Sequence, residues 1–325
     1  MILITGAGGF VGKSLVSELA WRRTPYRAVT RRRAQNSFVV PNFVVPDIDG
    51  QTDWTAALEG VDIVVHLAAR AHVTQQAAPL LEAQIQSSNV DATLNLARQA
   101  ARAGVKRFVF ISSIKVNGEA TAPDRPFTAA DQPNPQNPYA QAKLASELGL
   151  FSITRETGLE VTVIRPPLVY GAGVKANFET MMQWVDRGIP LPLGAVNNKR
   201  SFVYVGNLVD LIMVAAHHPK AAGEVFVVSD GEDMSTTELF RRLARALGRQ
   251  CLIVPVPSTF LRVGAAVLGR RDVASRLIDF LQVDCSRTRE VLGWKAPVSV
   301  DEGLRKTAQS FQRAELALDP VARSA

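Results

Sequence analysis

The N-terminus of the chain joins a buried strand to a glycine-rich turn. The apolar run Ile2–Thr5 is followed by three evenly spaced glycines, Gly6, Gly9 and Gly12. At this spacing the glycines permit a tight turn, close approach of the backbone to a pyrophosphate, and close packing of the next helix. A helix beginning near Phe10 and Val11 directs its N-terminal amides at the phosphates. These residues are therefore the first predicted cofactor contacts.

Apolar runs alternate with helical patterns through the first half of the chain. The predicted strands are Ile2–Thr5, Tyr26–Thr30, 61–67, 107–112 and Glu160–Arg165. Amphipathic segments at 89–103 and Pro138–Thr157 lie between them. This alternation is typical of a parallel sheet covered by helices on both faces. We therefore expect an α/β fold with a Rossmann-type doubly wound parallel sheet.

Beyond Arg165 the pattern has fewer strands and more helices. We expect a cofactor domain at residues 1–166, a smaller mixed α/β substrate domain at 167–312 and a flexible tail at 313–325. The segments 203–205 and 224–229 are expected to return as strands to the first sheet. The apolar stretch 260–268, followed by two arginines, is expected to be a packed helix.

Composition and charge argue against several classes of protein. The net charge is +7, but the arginines are scattered without interleaved aromatic residues, which disfavours nucleic acid as a partner. Cys251 and Cys285 offer neither a disulfide framework nor metal-ligand spacing, so no metal is expected. Two cysteines, no visible signal peptide and no membrane-length apolar run predict a cytoplasmic protein without a membrane partner.

The end of the second strand bears on the choice of cofactor. NAD-binding folds usually carry an acid there for the ribose hydroxyls. This chain has Thr30 followed by Arg31, Arg32 and Arg33. Arginines can bind a 2′-phosphate, so NADP(H) is favoured; a solvated basic loop with NAD(H) is the alternative. Asp47 and Ile48, after the third strand, are predicted to lie against the adenine.

A tyrosine and a lysine four residues apart carry the predicted chemistry. Tyr139 and Lys143 share one helix face, where the ammonium can lower the pKa of the phenol. Ser112 and Ser113 close the strand 107–112, and Ser113 can orient the reacting oxygen of a substrate. The predicted catalytic residues are Ser113, Tyr139 and Lys143. We expect His66, at a strand end, to be structural.

These motifs resemble the extended short-chain dehydrogenase/reductases, and within them the nucleotide-sugar epimerase/dehydratase branch. The matching motifs are 5–12, 66–69, 89–90, 112–113, 139–143, 165–171 and 200–204. The resemblance implies hydride transfer at a hexose carbon of a UDP-sugar. It implies cofactor contacts from Leu67, Ala68, Ala69, Asn89, Tyr139, Lys143 and Pro166. It implies substrate contacts from Ser113, Tyr139, Asn177, Phe178 and Arg200.

Departures from the branch narrow the expected reaction. Dehydratases of the branch have an Asp-Glu pair where this chain has Ile114 and Lys115, so we expect no dehydration. The diphosphate-gripping Arg-x-Gly-Asp segment of the epimerases is missing. Replacement candidates are Arg270, Arg271 and Arg276. Leu281 occupies the position whose bulk gates the sugar 2-substituent, and its size leaves room for an acetamido group.

Several sequence segments, among them residues 66–73, 112–119 and 173–178, resemble one bacterial subgroup more closely. That subgroup reduces UDP-4-keto-6-deoxy-N-acetylglucosamine to UDP-N-acetylquinovosamine for surface polysaccharide. We therefore expect an NADP(H)-dependent 4-ketoreductase. The alternatives are a UDP-hexose 4-epimerase and a non-catalytic NADP(H) sensor. The resemblance also implies a homodimer through the helices at 89–103 and Pro138–Thr157.

Overall fold

The computed structural model describes residues 1–30, 42–45, 47–69 and 84–318 of the chain. Its central sheet is entirely parallel, with strand order β3-β2-β1-β4-β5-β6-β9. These strands are β1 (Ile2–Thr5), β2 (Tyr26–Thr30), β3 (Asn42–Val44), β4 (Ile63–His66), β5 (Arg107–Ile111), β6 (Glu160–Arg165) and β9 (Val225–Val227). The predicted Rossmann-type sheet is thereby confirmed.

Helices follow most of the strands. They are α1 (Phe10–Trp21), α2 (Thr55–Leu58), α3 (Ala92–Arg102), α4 (Pro138–Thr157), α5 (Asn177–Asp186), α6 (Val205–His217), α7 (Thr236–Leu247), α8 (Ser258–Val267), α9 (Arg271–Ile278), α10 (Ser286–Leu292) and α11 (Val300–Leu318). A π-helical turn, Gln86–Asp91, leads into α3. Short 3₁₀ turns lie at Ile114–Val116 and Pro219–Ala221.

Two apolar cores cover the two faces of the sheet. One packs α1 and α6 against β1 and neighbouring strands, and the other packs α2, α3 and α4 against the opposite face. Every residue of β1 and of β5 is buried, as expected for parallel strands covered on both sides. This double cover leaves the carboxyl ends of the strands as the open edge.

Helix α4 is delimited by local signals that fix the position of Tyr139 and Lys143. The Asn137 side chain accepts a hydrogen bond from the Ala140 amide at 2.9 Å, and Pro138 occupies the first helical position. Gly158 ends the helix in the left-handed conformation, with φ +76°. The helix therefore begins and ends at the predicted residues.

A third core lies away from the central sheet. It gathers side chains of α5, α7 and α11, among them Phe178, Phe240 and Leu304. Beside it, β7 (Leu168–Tyr170) and β8 (Phe202–Tyr204) form a separate two-stranded parallel sheet. The expected return of 203–205 to the first sheet is therefore wrong, whereas 224–229 does return, as β9.

Two further expectations need correction. The stretch 260–268 is largely helical but packed on one side alone: Leu261 lies against the third core, and no residue of α8 is fully buried. The chain beyond residue 312 continues as helix α11 to Leu318. A buried face that includes Leu304, Ala308 and Phe311 holds α11 against the third core.

One extended stretch, which we call the 280–284 segment, bridges two parts of the fold. Its carbonyls at Phe280 and Gln282 accept hydrogen bonds from the amides of Thr121 and Phe127, in the loop after β5. On its other side, Leu281 exchanges backbone hydrogen bonds with the stretch just before β8, at 3.0 and 2.8 Å. The segment thus links the carboxyl edge of the first sheet to the second sheet.

Candidate active site

The glycine turn is closely packed at its first and last glycines, Gly6 and Gly12. A Cβ on Gly6, whose φ is +69°, would lie 2.8 Å from the Ala68 amide nitrogen. A Cβ on Gly12 would lie 2.2 Å from the Gly6 carbonyl oxygen. These contacts hold α1 close against the ends of β1 and β4, with Leu67, Ala68 and Ala69 alongside. This is the point where the strand order reverses, and doubly wound sheets bind ligands there.

The N-terminus of α1 fits the phosphates of a dinucleotide. Its N-cap, Gly9, makes no side-chain capping bond, and the first turn from Phe10 and Val11 contains no acidic residue. Amides of a helix N-terminus without such partners favour an anion. The predicted glycine contacts and the start of α1 therefore suit a nicotinamide dinucleotide.

The ribose end of the cofactor site is only partly described. Thr30 ends β2, as predicted. Arg31, Arg32 and Arg33, on which the NADP(H) prediction rests, lie outside the described residues. Asp47 is exposed and lines a surface cavity of about 370 Å³ beside β3, while Ile48 is half-buried.

Lys143 is held beneath the end of β5. Its Nζ donates a 2.8 Å hydrogen bond to the Ile111 carbonyl and lies 4.4 Å from the centre of the Phe110 ring. The side chain is buried, with 2% exposure. Burial lowers the pKa of Lys143 to about 7, and the charge of Glu147 opposes that lowering. The lysine is therefore fixed one turn from Tyr139, beside the strand that leads to Ser113.

The Tyr139 phenol lies near Lys143, with 5.9 Å between Nζ and the ring centre. No residue in the described part of the chain hydrogen-bonds its hydroxyl, which is the state expected of a group meant for a ligand. Burial raises the pKa of Tyr139 to about 12. Lys143 was expected to lower this pKa, but in the protein alone the loss of hydration raises it.

The two serines after β5 have different surroundings. Ser112 is buried, and its hydroxyl donates to the Glu147 carboxylate. Ser113 is half-buried in extended backbone, and its Oγ accepts only a long 3.3 Å bond from the Lys115 amide. Ser112 is thus used within the fold, whereas the Ser113 hydroxyl retains capacity for a substrate oxygen.

A buried ion pair behind Lys143 was not anticipated. Arg165 Nη2 donates to Glu147 Oε2 at 2.5 Å, with the two side chains 5% and 2% exposed. A second bond joins Arg165 Nε to Glu147 at 3.0 Å, and Nη1 donates to Asn117 Oδ1. Glu147 continues the face of Tyr139 and Lys143 by one further helical turn, which was the available signal.

His66 links the end of β1 to helix α3. Thr93 Oγ1 donates to the Asn89 carbonyl at 2.6 Å, so it accepts from His66 Nε2 at 2.9 Å. His66 Nδ1 then accepts from Thr5 Oγ1 at 2.7 Å, and that oxygen accepts from the Ala68 amide. Burial, and secondarily the charge of Lys143, lower the pKa of His66 to about 3. The histidine is therefore a neutral, structural residue, as expected.

Asn89 and Pro166 both brace this region through their backbones. The Asn89 carbonyl also accepts from Ser146, on α4, at 3.1 Å. The buried Pro166 accepts a 3.0 Å bond from the Ile114 amide, which joins the ends of β5 and β6. Both predicted cofactor residues therefore lie next to the elements that carry Ser113 and Lys143.

The positions expected of a dehydratase acid and base hold no carboxylate. Ile114 is buried, and Lys115 forms an ion pair with Glu119 at 3.1 Å. The Glu119 carboxylate also accepts from Asn137, the N-cap of α4. Glu119 was not predicted from the sequence to lie near the site. Its carboxylate joins the turn that carries Lys115 to the N-cap of α4, the helix that carries Tyr139.

Arg200 lies beside the 280–284 segment. It pairs with Leu281 through the backbone, and its Nη1 donates to the Asp279 carbonyl at 2.8 Å. Burial lowers the pKa of Arg200 to about 10, against the opposing effect of Asp279. A guanidinium has five N–H donors, so most remain available to an anion. Leu281 shares one apolar cluster with Ile114, which brings the predicted 2-substituent gate towards Ser113.

The other predicted substrate residues differ in exposure. Asn177 is exposed at the start of α5. Phe178 is 1% exposed and stacks on Tyr170 at 5.4 Å, so the structure places it in the third core and not on an open surface. Arg270 and Arg276 are exposed, whereas Arg262, which was not predicted, pairs with the Asp279 carboxylate at 2.6 Å. The Arg271 side chain lies outside the described part.

A doubly wound sheet with a glycine turn, and with serine, tyrosine and lysine gathered about β5, defines a short-chain dehydrogenase/reductase. The family model for the NAD dependent epimerase/dehydratase family matches residues 2–229, and the chain belongs to this family. The chain is accordingly an enzyme of a family that uses NAD(P), as the sequence predicted.

Individual relatives agree with this assignment over nearly the whole chain. A UDP-glucose 4-epimerase of Vibrio cholerae is 45% identical over 316 residues, which are 96% of each chain. A UDP-glucose 4-epimerase of Mycolicibacterium smegmatis is 33% identical over 95% of this chain and 98% of its own. The solved structure of MoeE5 in complex with UDP-glucuronic acid and NAD has a TM-score of 0.77 at 26% identity, covering 96% of this chain and 99% of that one.

Proposed function

We propose that this enzyme is a UDP-hexose 4-epimerase, with UDP-glucose or UDP-N-acetylglucosamine as its substrate. The observation that carries the proposal is the 45% identity, over 96% of both chains, to the UDP-glucose 4-epimerase of Vibrio cholerae. The sequence favoured a 4-ketoreductase with epimerase as the alternative. The similarity supports the alternative better than the first choice.

The residues around β5 can move the proton that such a reaction requires. A bound nicotinamide dinucleotide would accept hydride from C4 of the sugar and return it to the opposite face. Tyr139, in its phenolate form, takes the proton of the C4 hydroxyl as that carbon is oxidised, and the resulting phenol gives it back on reduction. Ser113 orients the same oxygen by a hydrogen bond. Lys143, fixed by Ile111, supplies positive charge beside the phenol.

Arg200 is the residue best suited to hold the diphosphate of the substrate. Its backbone pairs with Leu281, and in the described chain a single hydrogen bond to the Asp279 carbonyl anchors its guanidinium. Arginine binds phosphate oxygens through paired N–H donors. Leu281 beside it is smaller than an aromatic residue, and this supports an N-acetylated sugar as well as glucose.

A second candidate is the UDP-4-keto-6-deoxyhexosamine 4-reductase that the sequence favoured. Its specific support is the run Arg31, Arg32 and Arg33 where NAD enzymes usually carry an acid. A preference for NADP(H) suits net reduction better than a redox-neutral cycle. The homodimer through α3 and α4 also stays a proposal.

The two reactions differ in their need for a reductant. Purified protein would be incubated with UDP-glucose or UDP-N-acetylglucosamine and catalytic NAD⁺ or NADP⁺, and the products separated by chromatography. Formation of the C4 epimer without added reductant would support the epimerase. A parallel incubation would follow NADPH and NADH oxidation with UDP-4-keto-6-deoxy-N-acetylglucosamine.

Each remaining outcome points elsewhere. Stoichiometric NADPH oxidation without epimer formation would overturn the epimerase and support the reductase. Tight NADPH binding with no turnover of any sugar nucleotide would overturn both and support a cofactor sensor. A faster rate with NADP⁺ than with NAD⁺ would separately support the binding of the 2′-phosphate by Arg31, Arg32 and Arg33.

A further inference from the structure

Helix α8 is apolar on almost every side, yet it is not enclosed. Its only charged residue is Arg262, and none of its residues is buried. Phe260, Val263 and Val267 recur at spacings of three and four, so they lie on one side of the helix. Their exposures are 69%, 64% and 81%, and the following Leu268 is 76% exposed. A helix that is apolar all round is ordinarily covered, so this surface requires an occupant.

The chain around α8 contains no acid over a long distance. From residue 239 to residue 271 there is no aspartate or glutamate, and arginines occur at 241, 242, 245, 249, 262, 270 and 271. Arg242, Arg249 and Arg262 are paired with carboxylates. Arg270, exposed directly after the α8 turn, forms no ion pair in the part of the chain that the structure describes. Arg270 therefore places a positive charge without a carboxylate partner, within the described chain, at the border of the apolar surface.

These features help to decide which partner covers the exposed face of α8, a second copy of the chain or a lipid bilayer. A second copy would meet the surface through a two-fold axis and bring the same acid-free stretch against itself. An anionic lipid bilayer offers an apolar interior to Phe260, Val263 and Val267. Its phosphates offer a negative charge to Arg270 at the border of these side chains. Charge complementarity therefore favours the bilayer.

We propose that α8 and the turn through Arg270 dock this enzyme reversibly on an anionic phospholipid membrane. No helix in the described chain is long and apolar enough to cross a bilayer, so the contact is peripheral. Phe260, Val263 and Val267 enter the boundary between headgroups and acyl chains. Arg270 then lies at the level of the phosphates.

Vesicle co-sedimentation of the full chain tests the proposal. Vesicles of equal parts phosphatidylglycerol and phosphatidylcholine would be compared with pure phosphatidylcholine at low and high salt. We expect binding to the anionic vesicles alone, weakened by salt. The double variant Val263→Glu, Val267→Glu should abolish binding. Arg270→Gln should weaken it about fivefold, the loss typical of one cation at such a surface.

The matched control is Trp21→Glu, which places the same charge at another exposed apolar side chain, 78% exposed at the end of α1. It should bind like the parent protein. All variants change exposed positions, and circular dichroism would verify that they fold.

Three outcomes would overturn membrane docking. The first is no binding to anionic vesicles by the parent protein. The second is a double variant that binds as well as the parent, or that dissociates a dimer in sedimentation, which would assign the surface to a second copy. The third is a KM for the sugar nucleotide that differs between the double variant and the parent protein in the absence of vesicles. That difference would assign α8 to the substrate site.

Discussion

Glu147 and Arg165 form a two-pronged ion pair that is sealed beneath the active site. Glu147 lies one helical turn beyond Lys143, and Arg165 is the last residue of β6. Ser112 donates to the same carboxylate, so a single acid fixes α4, the end of β5 and the end of β6. Its charge also opposes the burial that lowers the pKa of Lys143.

Glu147→Gln should therefore have two separable effects. Loss of one partner of a buried pair should reduce the free energy of unfolding by about 3–5 kcal/mol, measured by urea denaturation. Removing the carboxylate should lower the pKa of Lys143 further below about 7, because Glu147 raises it. The pH at which kcat/KM changes with the lysine charge should move downward.

The comparison variant is Glu224→Gln. Glu224 binds Arg287 through both carboxylate oxygens at 2.8 Å, but the side chains are 29% and 51% exposed. Such a pair contributes about 0–1 kcal/mol. Equal losses of stability in the two variants, or an unmoved pH profile in Glu147→Gln, would contradict the role given to Glu147.

Tyr139→Phe should remove turnover without weakening the fold. No hydrogen bond within the described chain is lost with its hydroxyl, so the free energy of unfolding should change by less than about 0.5 kcal/mol. Epimerisation should fall by about 10²- to 10⁴-fold, the contribution of a positioned acid and base. Fluorescence titration with NADH and NADPH should show that the cofactor still binds.

Tyr170→Phe is the control for Tyr139→Phe: it also removes a tyrosine hydroxyl, but we expect it to reduce stability and not turnover. The Tyr170 hydroxyl donates to Asp230 at 2.7 Å, and a hydrogen bond to a charged group contributes about 1.5–3 kcal/mol. That variant should be less stable and should retain turnover. A Tyr139→Phe enzyme that still turns over would remove the phenol from the mechanism.

His66 should make the protein sensitive to acid. Its pKa is about 3 in the fold and 6.5 ordinarily, so between these values the unfolded chain binds a proton that the folded chain does not. Stability contributed by the neutral ring is therefore complete above pH 6.5 and is lost as the pH falls towards 3. Between pH 7.5 and 5.5 we expect a loss of about 1.4 kcal/mol from this residue.

The measurement is urea denaturation of the parent and of His66→Gln at the two pH values. Glutamine can hydrogen-bond but does not titrate, so the variant should lack this part of the pH dependence even if it is less stable throughout. Identical pH dependence in both proteins would show that another group is responsible.

Arg200→Lys should raise the KM for the UDP-sugar at least about tenfold, because an ammonium cannot bind two phosphate oxygens in the paired geometry of a guanidinium. Cofactor affinity should be unchanged, since the proposed cofactor site is at β1 and α1. Lys199→Gln, at an adjacent residue that is 54% exposed and paired with Asp124, should leave KM unchanged. Unaltered KM in Arg200→Lys would remove Arg200 from the substrate site.

The sequence predicts most accurately what local signals control. The bounds of α4 follow from Asn137, Pro138 and Gly158, and the parallel sheet follows from the alternation of strands and helices. The pairing of β8 with β7 does not follow, because a three-residue apolar strand carries no information about its partner.

Features that depend on two segments far apart in the chain could not be predicted from the sequence. The Glu147–Arg165 pair requires both the rotation of α4 and the position of the end of β6. The exposure of α8 contradicts its composition, since apolar content indicates a tendency to be covered and says nothing of what covers it. The choice between epimerase and reductase could not be made from the sequence either, because both reactions use the serine, tyrosine and lysine found here.

The 280–284 segment sets a mechanical limit on how the enzyme can admit its ligand. Wide parting of the first sheet from the second would break the hydrogen bonds that Phe280 and Gln282 accept on one side, or those of Leu281 on the other. We therefore expect entry and release to proceed by small shifts of side chains and loops rather than by a hinge. In the proposed epimerisation, the oxidised sugar would then stay in the site while it rotates to present its other face.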